Sequence, residues 1–343
     1  MRKLASIQKI ISIDPHPNAD TLEIAKVLGW HVIIKKGEFK SGDEIVYIEV
    51  DSVLPKKPEF EFLSKYNYRV KTIKLRGVIS QGIVFPKSII GKDIMNNYHE
   101  GDDVTDLLNI IKYEPPISAN LTGEVLGKFP SFIPKTDEDR ITSNPELFYV
   151  YKDNPGYITE KVDGSSVTYY MHEGKFGMCS RNLELKYDLV NKNNIIYKYA
   201  VENNIEERLK NFCTKNKIDI AIQGEMLGEK IQGNKYKLKG NKFLVFSVYN
   251  ITAHKYFPFI EMIKLLDDLK MDLVPLIPNP KEKFKSIDEM IEFVKTLKSK
   301  LNSEIPVEGI VWRSLQEGFT YLTTTNRLSF KVINPEFLLK FGE

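Results

Sequence analysis

The segment "YEPPISANLTGEVLGKFPSFIPKT", Tyr113 to Thr136, sets four prolines among glycine and polar residues. Proline fixes φ and removes a backbone donor, so such a run is a poor helix and a poor inner strand. It predicts a linker over 113–135 that divides the chain in two. Before it, over residues 1–112, lie short strand-like runs: "LASIQKIISI", "WHVIIKK", "EIVYIEV", "VKTIKL" and "QGIVFP". Gly and Asp punctuate them at "KGEFKSGDE", and no long amphipathic helix intervenes. That spacing predicts a small all-β barrel.

After the linker, over 136–343, the pattern is mixed. Strands are expected at 157–171, 219–225, 243–250, 307–313 and 328–333, and helices at about 188–213, 259–269 and 286–301. The last helix opens with Ser286-x-x-Glu289, a capping-box pattern, ahead of Met290, Ile291, Val294 and Leu297 at helical spacing. No internal repeat is present. The overall expectation is an α+β chain with a β-barrel first and a mixed α/β domain second.

Composition narrows the function classes. With 343 residues, 42% hydrophobic, the chain can build two cores. The net charge is only +3, so a nucleic-acid surface must come from local clustering. Cys179 and Cys213 are the only cysteines, which fits a reduced, intracellular and cytoplasmic setting rather than a disulfide scaffold. His16, His31, His99, His172 and His254 are scattered without a His-Glu-x-x-His, so no structural metal cage is expected. No apolar run approaches the roughly 20 residues of a membrane span. The start, "MRKLASIQKIISI", is broken by Gln8 and Lys9 and reads as a first strand rather than a signal peptide.

Two acid-free runs stand out. From Phe62 to Lys92 there is no Asp or Glu, while Lys65, Arg69, Lys71, Lys74, Arg76, Lys87 and Lys92 interleave with Tyr66 and Tyr68. Cations that follow phosphates and aromatics that stack on bases make a nucleic-acid face, although a solvated face of a Lys-rich protein reads the same way. Lys230 to Lys255 is the second, with Lys235, Lys237, Lys239 and Lys242 crowded together. It suits a solvated loop, or contact with a polyphosphate or RNA strand.

The stretch "YITEKVDGSSVTYYM", Tyr157 to Met171, alternates in the β manner on both sides of an Asp-Gly, which predicts a hairpin. Lys161 stands two residues before that turn. Downstream, strand-like runs carry Arg181 in "CSRNLE", Glu225 in "IAIQGEMLG", Phe246 in "KFLVFSVYN", Glu308 in "IPVEGIVWR" and Lys331 in "RLSFKVINPEF". Charged groups are rarely buried unpaired, so these residues either pair internally or hold a metal and a polyphosphate.

In order, these segments resemble the nucleotidyltransferase motifs of the ligase and capping-enzyme superfamily. "KVDGSS" is similar to motif I, "SRN" to Ia, "QGE" to III, "FLVFSVY" to IIIa, "VEGIVWR" to IV and "FKVIN" to V. The segment "KLRGVISQG", Lys74 to Gly82, resembles a run of tRNA-binding OB-type domains, and "IPKTDEDRI" resembles the segment before the core of RNA ligases. DNA ligases and capping enzymes usually carry their OB domain after motif V. An OB domain placed first resembles the RNA ligase 5 family.

The resemblance implies an ATP-dependent RNA ligase with an ATP-grasp-like ligase domain of antiparallel sheets. It joins 3′-hydroxyl and 5′-phosphate ends of nicked or broken RNA through a lysyl-AMP and an AMP-capped 5′-phosphate. Lys161 becomes the nucleophile. A free amine, with a pKa near 10.4, is protonated at neutral pH, so the site is expected to favour the neutral form through Lys331 and a divalent cation, Mg2+ or Mn2+. Asp163, Glu225 and Glu308 are implied to hold the metal's waters or contact the ribose. Lys331 is implied to contact the α-phosphate, Arg140 the phosphates, and Arg181 the ribose or incoming strand. Phe246 would stack on the adenine, and Glu160 would accept from its amino group. Lys65, Tyr66, Tyr68, Arg69, Lys71, Lys74 and Arg76 would bind nucleic acid. Motif V often carries a second lysine two residues earlier, where this chain has Ser329; Arg327 or a lysine of the 230–242 run is the expected replacement. A monomer is expected.

Overall fold

The computed structural model describes residues 3–114, 121–316, 318, 320, 322, 323, 325 and 327–342. Residues 115–120 of the expected linker lie outside the described residues.

The first half is all strand and short 3-10 turns. One sheet joins β1 (Ala5–Lys9), β5 (Glu44–Ile48) and β9 (Ile83–Pro86). A second joins β2 (Ser12–Pro15), β3 (Leu22–Val27) and β4 (Trp30–Lys35). Two antiparallel pairs complete it: β6 (Ser52–Val53) with β10 (Ile111–Lys112), and β7 (Ile73–Leu75) with β8 (Val78–Ser80). Side chains alternate along each strand, so β5 serves two cores. Val46 and Ile48 pack with Ile7, Phe60 and Val70, whereas Ile45 and Tyr47 pack with Val32 and Trp30. Both clusters draw their buried residues from Leu4 to Ile110.

The second half holds two antiparallel sheets. The seven-stranded sheet runs β11 (Val125–Lys128), β15 (Leu183–Leu185), β14 (Lys175–Cys179), β13 (Ser165–His172), β16 (Ile220–Gly228), β17 (Asn241–Asn250) and β18 (Lys255–Tyr256). Helices α2 (Ile195–Glu202), α3 (Ile205–Asn216) and α4 (Phe259–Leu269) cover one face, where Ile196, Leu209 and Leu265 meet Val167, Tyr169 and Ile222. The four-stranded sheet runs β19 (Leu276–Ile277), β12 (Gly156–Lys161), β20 (Gly309–Ser314) and β21 (Ser329–Ile333). It packs on α1 (Leu147–Asp153) and α5 (Ile287–Thr296) through Leu147, Met290, Val294, Trp312 and Phe330. Helix α6 (Pro335–Phe341) follows.

Local chemistry sets several ends. Ser286 Oγ caps α5 by accepting from Glu289 N at 3.1 Å, but the Glu289 carboxylate reaches back to Lys285 N rather than to Ser286 N. Helix α5 stops at Thr296, short of the expected 301, because Leu297 turns extended. The helix expected over 188–213 is broken between α2 and α3, where Asn204 takes a left-handed conformation at φ 51°. Asn tolerates that region better than most residues. Within the expected linker, Val125–Lys128 is built into the large sheet as its edge strand β11.

The Asp-Gly turn is the main correction. β12 and β13 do not pair with each other. β12 pairs with β19 and β20, and β13 with β14 and β16. Val162, Asp163 and Gly164 therefore carry the chain from one sheet to the other.

The halves touch at specific points. Lys26 Nζ meets Asp288 Oδ2 at 2.6 Å, and Lys74 Nζ meets Glu336 Oε1 at 3.5 Å. Gly29 N donates to Thr142 O at 3.0 Å, and a Cβ on Gly29 would lie 2.8 Å from Thr142 Cα. Asp51 bridges the halves, accepting from Arg69 Nη2 at 2.7 Å and from Arg140 Nη2 at 3.0 Å.

Candidate active site

Lys161 is the last residue of β12, paired in register with Gly309 of β20. Glu308 precedes that partner by one residue, so its carboxylate stands beside the amine: Nζ to Oε1 is 2.5 Å. Glu225 comes from the other sheet, on β16 opposite Ser166. Gly164 permits this convergence. A Cβ there would lie 2.4 Å from Met226 O and 3.0 Å from Glu225 Cγ. Its N–H bonds to the Glu225 carboxylate instead.

Three carboxylates therefore act on one amine. Burial pulls the Lys161 pKa down, but Glu308, Glu225 and Asp163 more than offset it and leave it above the ordinary value. The protein groups alone thus favour the ammonium, and the expected neutral amine is the one assigned to Lys331 and a bound divalent cation. The physical reason is the excess of carboxylates nearest to Nζ. Burial pushes the Glu225 carboxyl up to about 8, Lys161 opposes this, and Glu308 and Asp163 add to it. Such a cluster asks for a divalent cation. Glu308 Oε2 is buried and has no hydrogen-bond partner among the described residues. Oxygen donors of this kind suit Mg2+ or Mn2+. No group of three His, Cys, Asp or Glu side chains among the described residues forms a direct cage.

Asp163 is already engaged. Its carboxylate accepts from Lys235 Nζ at 2.5 Å, and its backbone N–H donates to Tyr236 Oη at 2.7 Å. Lys235 comes from the second acid-free run, and it is the lysine of that run that reaches the site. Arg327, the other expected replacement in motif V, instead donates to Ser247 Oγ at 2.7 Å and lies over Tyr256. Ser329 Oγ donates to Glu138 Oε2 at 2.5 Å, and Glu138 also pairs with buried Arg313 at 3.0 Å. Lys331 aligns with Arg140 in a parallel bridge, its N–H donating to Asp139 O at 2.8 Å.

Phe246 sits at a β-bulge. The β16–β17 register jumps between Gln223 and Gly224, so Ser247 and Val245 are paired and Phe246 is the extra residue. A bulge re-aims a side chain, and here the ring lies half-buried with the Arg313 guanidinium 5.7 Å from its centre. Glu160 is 1% exposed. One carboxylate oxygen accepts from Lys300 N at 3.0 Å, and the other has no partner among the described residues. Burial raises its pKa, against Ser299 and Lys300. Arg181 is held at the surface by Asp137 at 2.8 Å and Glu114 at 3.4 Å.

The basic stretch of the first half divides. Lys65, Tyr66, Lys74 and Arg76 are exposed. Tyr68 is not a stacking residue. It is buried, its Oη donating to Glu61 at 2.7 Å, and its side chain fills the core with Leu63 and Val70. Arg69 is turned inward to Asp51 and stacks on Tyr113, with 3.6 Å to the ring centre. Lys71 donates to Gly342 O. The sequence reading gave no role to Asp51, Glu138, Arg313 or Tyr236, although Glu138 stands in "IPKTDEDRI", Arg313 in "VEGIVWR" and Tyr236 in the second acid-free run.

A family model described as RNA ligase matches residues 154–333, and one described as OB-fold domain matches residues 4–87. Comparison with curated proteins gives no match. Among solved structures, a Naegleria gruberi RNA ligase mutant with ATP and Mn is 34% identical with TM-score 0.87, covering 100% of each chain. A second mutant of that ligase, with AMP and Mn, is 34% identical with TM-score 0.86 over 99% of each chain. The same ligase with PPi is 35% identical with TM-score 0.86 over 99% of each chain.

Proposed function

The chain belongs to the RNA ligase family, and from that premise we propose that it uses ATP to join RNA 3′-hydroxyl and 5′-phosphate ends through an adenylate on Lys161. The observation that carries this reading is Lys161 at the crossing between two sheets, 2.5 Å from Glu308 and facing Glu225.

In the first step the neutral amine of Lys161 attacks the α-phosphorus of ATP. The P–N bond forms, the bond to pyrophosphate breaks, and Nζ gives up its proton. In the second step a 5′-phosphate oxygen of RNA attacks the same phosphorus, the P–N bond breaks, and Nζ regains a proton. In the third step a 3′-hydroxyl attacks the capped 5′-phosphorus, loses its proton and expels AMP. Glu225 and Glu308, with Asp163, would hold a divalent cation through water. When bound, that cation neutralises phosphate oxygens and relieves Lys161 of the carboxylates that keep it protonated.

The other roles are proposals on the same footing. Phe246 stacks the base, and the partnerless oxygen of Glu160 accepts from the adenine amino group. Lys331 and Arg140, adjacent in the backbone, contact the phosphates. Arg181 contacts the ribose or the incoming strand. Residues 1–112 grip RNA through Lys65, Tyr66, Lys74 and Arg76, residues 113–135 link, and residues 136–343 do the chemistry. No helix of the described residues is long and apolar enough to cross a membrane. Free, buried Cys179 and Cys213 support a cytoplasmic setting.

The test is incubation with a divalent cation and ATP labelled at the α-phosphate, beside Lys161→Met. Label on the wild type, released by pyrophosphate and absent from the variant, is expected. Sealing of an RNA nick should then follow; labelling by GTP alone, or sealing of DNA alone, would overturn the assignment.

A further inference from the structure

The nucleophile's own segment is gripped by a loop that none of the ligase motifs includes. Asp163 lies two residues after Lys161, in the stretch that crosses between the sheets. Tyr236 holds it by the backbone, Asp163 N to Oη at 2.7 Å, and Lys235 holds it by the carboxylate at 2.5 Å. Both partners are buried in their own right. The Lys235 side chain is 13% exposed, and Tyr236 is 3% exposed among Val162, Leu227 and Leu244. Lys235 is in turn boxed by α6: its Nζ lies 5.2 Å from the Phe337 ring centre and 5.1 Å from that of Phe341. Two aromatic faces and one carboxylate fix a side chain that in water would have many rotamers.

We propose that Lys235 and Tyr236 are the positioning pair for Lys161: together they fix the crossing that aims the amine, Tyr236 by the Asp163 backbone N–H and Lys235 by the Asp163 carboxylate. The proposal rests on the adenylylation reading of the site and deepens it. The charged groups around Nζ come from three places: Glu308 before β20, Glu225 on β16, and Asp163 on the crossing itself. Lys235 is paired to the last of these, so losing its ammonium removes a side-chain hold on the crossing and loosens the aim of Nζ.

The experiment uses Lys235→Met, Lys235→Arg and Tyr236→Phe in the full chain. Two quantities are read: the single-turnover rate of label transfer from α-labelled ATP to Lys161 at saturating ATP, and the KM for ATP. Lys235→Met should slow labelling by about tenfold with the KM little changed, since the aim of the amine and not nucleotide binding is lost. Lys235→Arg should restore most of the rate. Tyr236→Phe should slow labelling by about tenfold, again with the KM little changed.

A wild-type rate in Lys235→Met would overturn the proposal. So would a slow Lys235→Met that arginine does not rescue, or whose KM rises as much as its rate falls, which is the pattern of general structural damage. A wild type that never takes label from ATP would instead sink the ligase reading on which the proposal rests.

Discussion

Lys161 Nζ and Glu308 Oε1 stand 2.5 Å apart, and that pair couples the charge of the proposed nucleophile to the carboxylate of "VEGIVWR". Glu308→Gln should lower the Lys161 pKa yet cut lysyl-AMP formation by about a hundredfold or more, because the same carboxylate is assigned to the cation. Gel labelling measures the rate. The pair's share of stability has a defined window. A lysine raised above 10.5 contributes fully below that value and loses its contribution as pH rises through the folded pKa. Any difference in melting temperature from the wild type should therefore hold steady between about pH 6 and 9 and shrink only above about 10.5.

Glu225 carries the opposite lesson. Its carboxyl, raised to about 8, keeps a proton in the fold after the unfolded chain has lost one near 4.5. That contribution to stability is full below 4.5 and lost as pH rises through about 8. Glu225→Gln removes the burden. In protein without metal it should melt about 3 °C or more above wild type at pH 8.5, with little difference at pH 4, while adenylylation is abolished. Calorimetry at the two pH values checks the sign.

Phe246 lies half-buried at the bulge, at the edge of a core cluster, and is the residue proposed to stack on the base. Phe246→Ala should raise the KM for ATP about 10- to 100-fold, the range of base–aromatic stacking, with a smaller change in kcat. A variant that instead melts several degrees lower, with KM unchanged, would assign the ring to packing.

The exposed cations of the barrel should act on strands and not on ATP. Lys65→Glu combined with Arg76→Glu should weaken RNA binding at least tenfold, reduce its salt dependence and depress sealing, while lysyl-AMP forms at the wild-type rate. Filter binding at several salt concentrations measures this. The neighbouring Arg69 is a poor choice for the same test, because it pairs with Asp51, which also holds Arg140 of the other half.

The order of motifs was readable because each places a charged or aromatic residue at a fixed point on an apolar strand. Strand partners were not. "KVDGSS" has every local mark of a hairpin, and only the long-range pairing of β12 with β20, and of β13 with β16, turns it into a crossing. Tyr68 shows the same limit. Interleaving with lysines suggested a stacking face, but residue 68 faces inward and its neighbour 66 outward. Asp51 with Arg140, Glu138 with Ser329 and Arg313 with Glu138 are pairings between distant parts of the chain, and no periodicity or spacing rule reports them.

The crossing at Val162–Gly164 has a mechanical meaning as well. Lys161 belongs to the four-stranded sheet, while Phe246 belongs to the seven-stranded one. Once AMP is bonded to the first and its base rests on the second, the nucleotide is a strut across the cleft. The charged enzyme would then be the stiffer form, with β12 and β17 slower to exchange amide hydrogens, and each transfer to RNA would release the two sheets from each other.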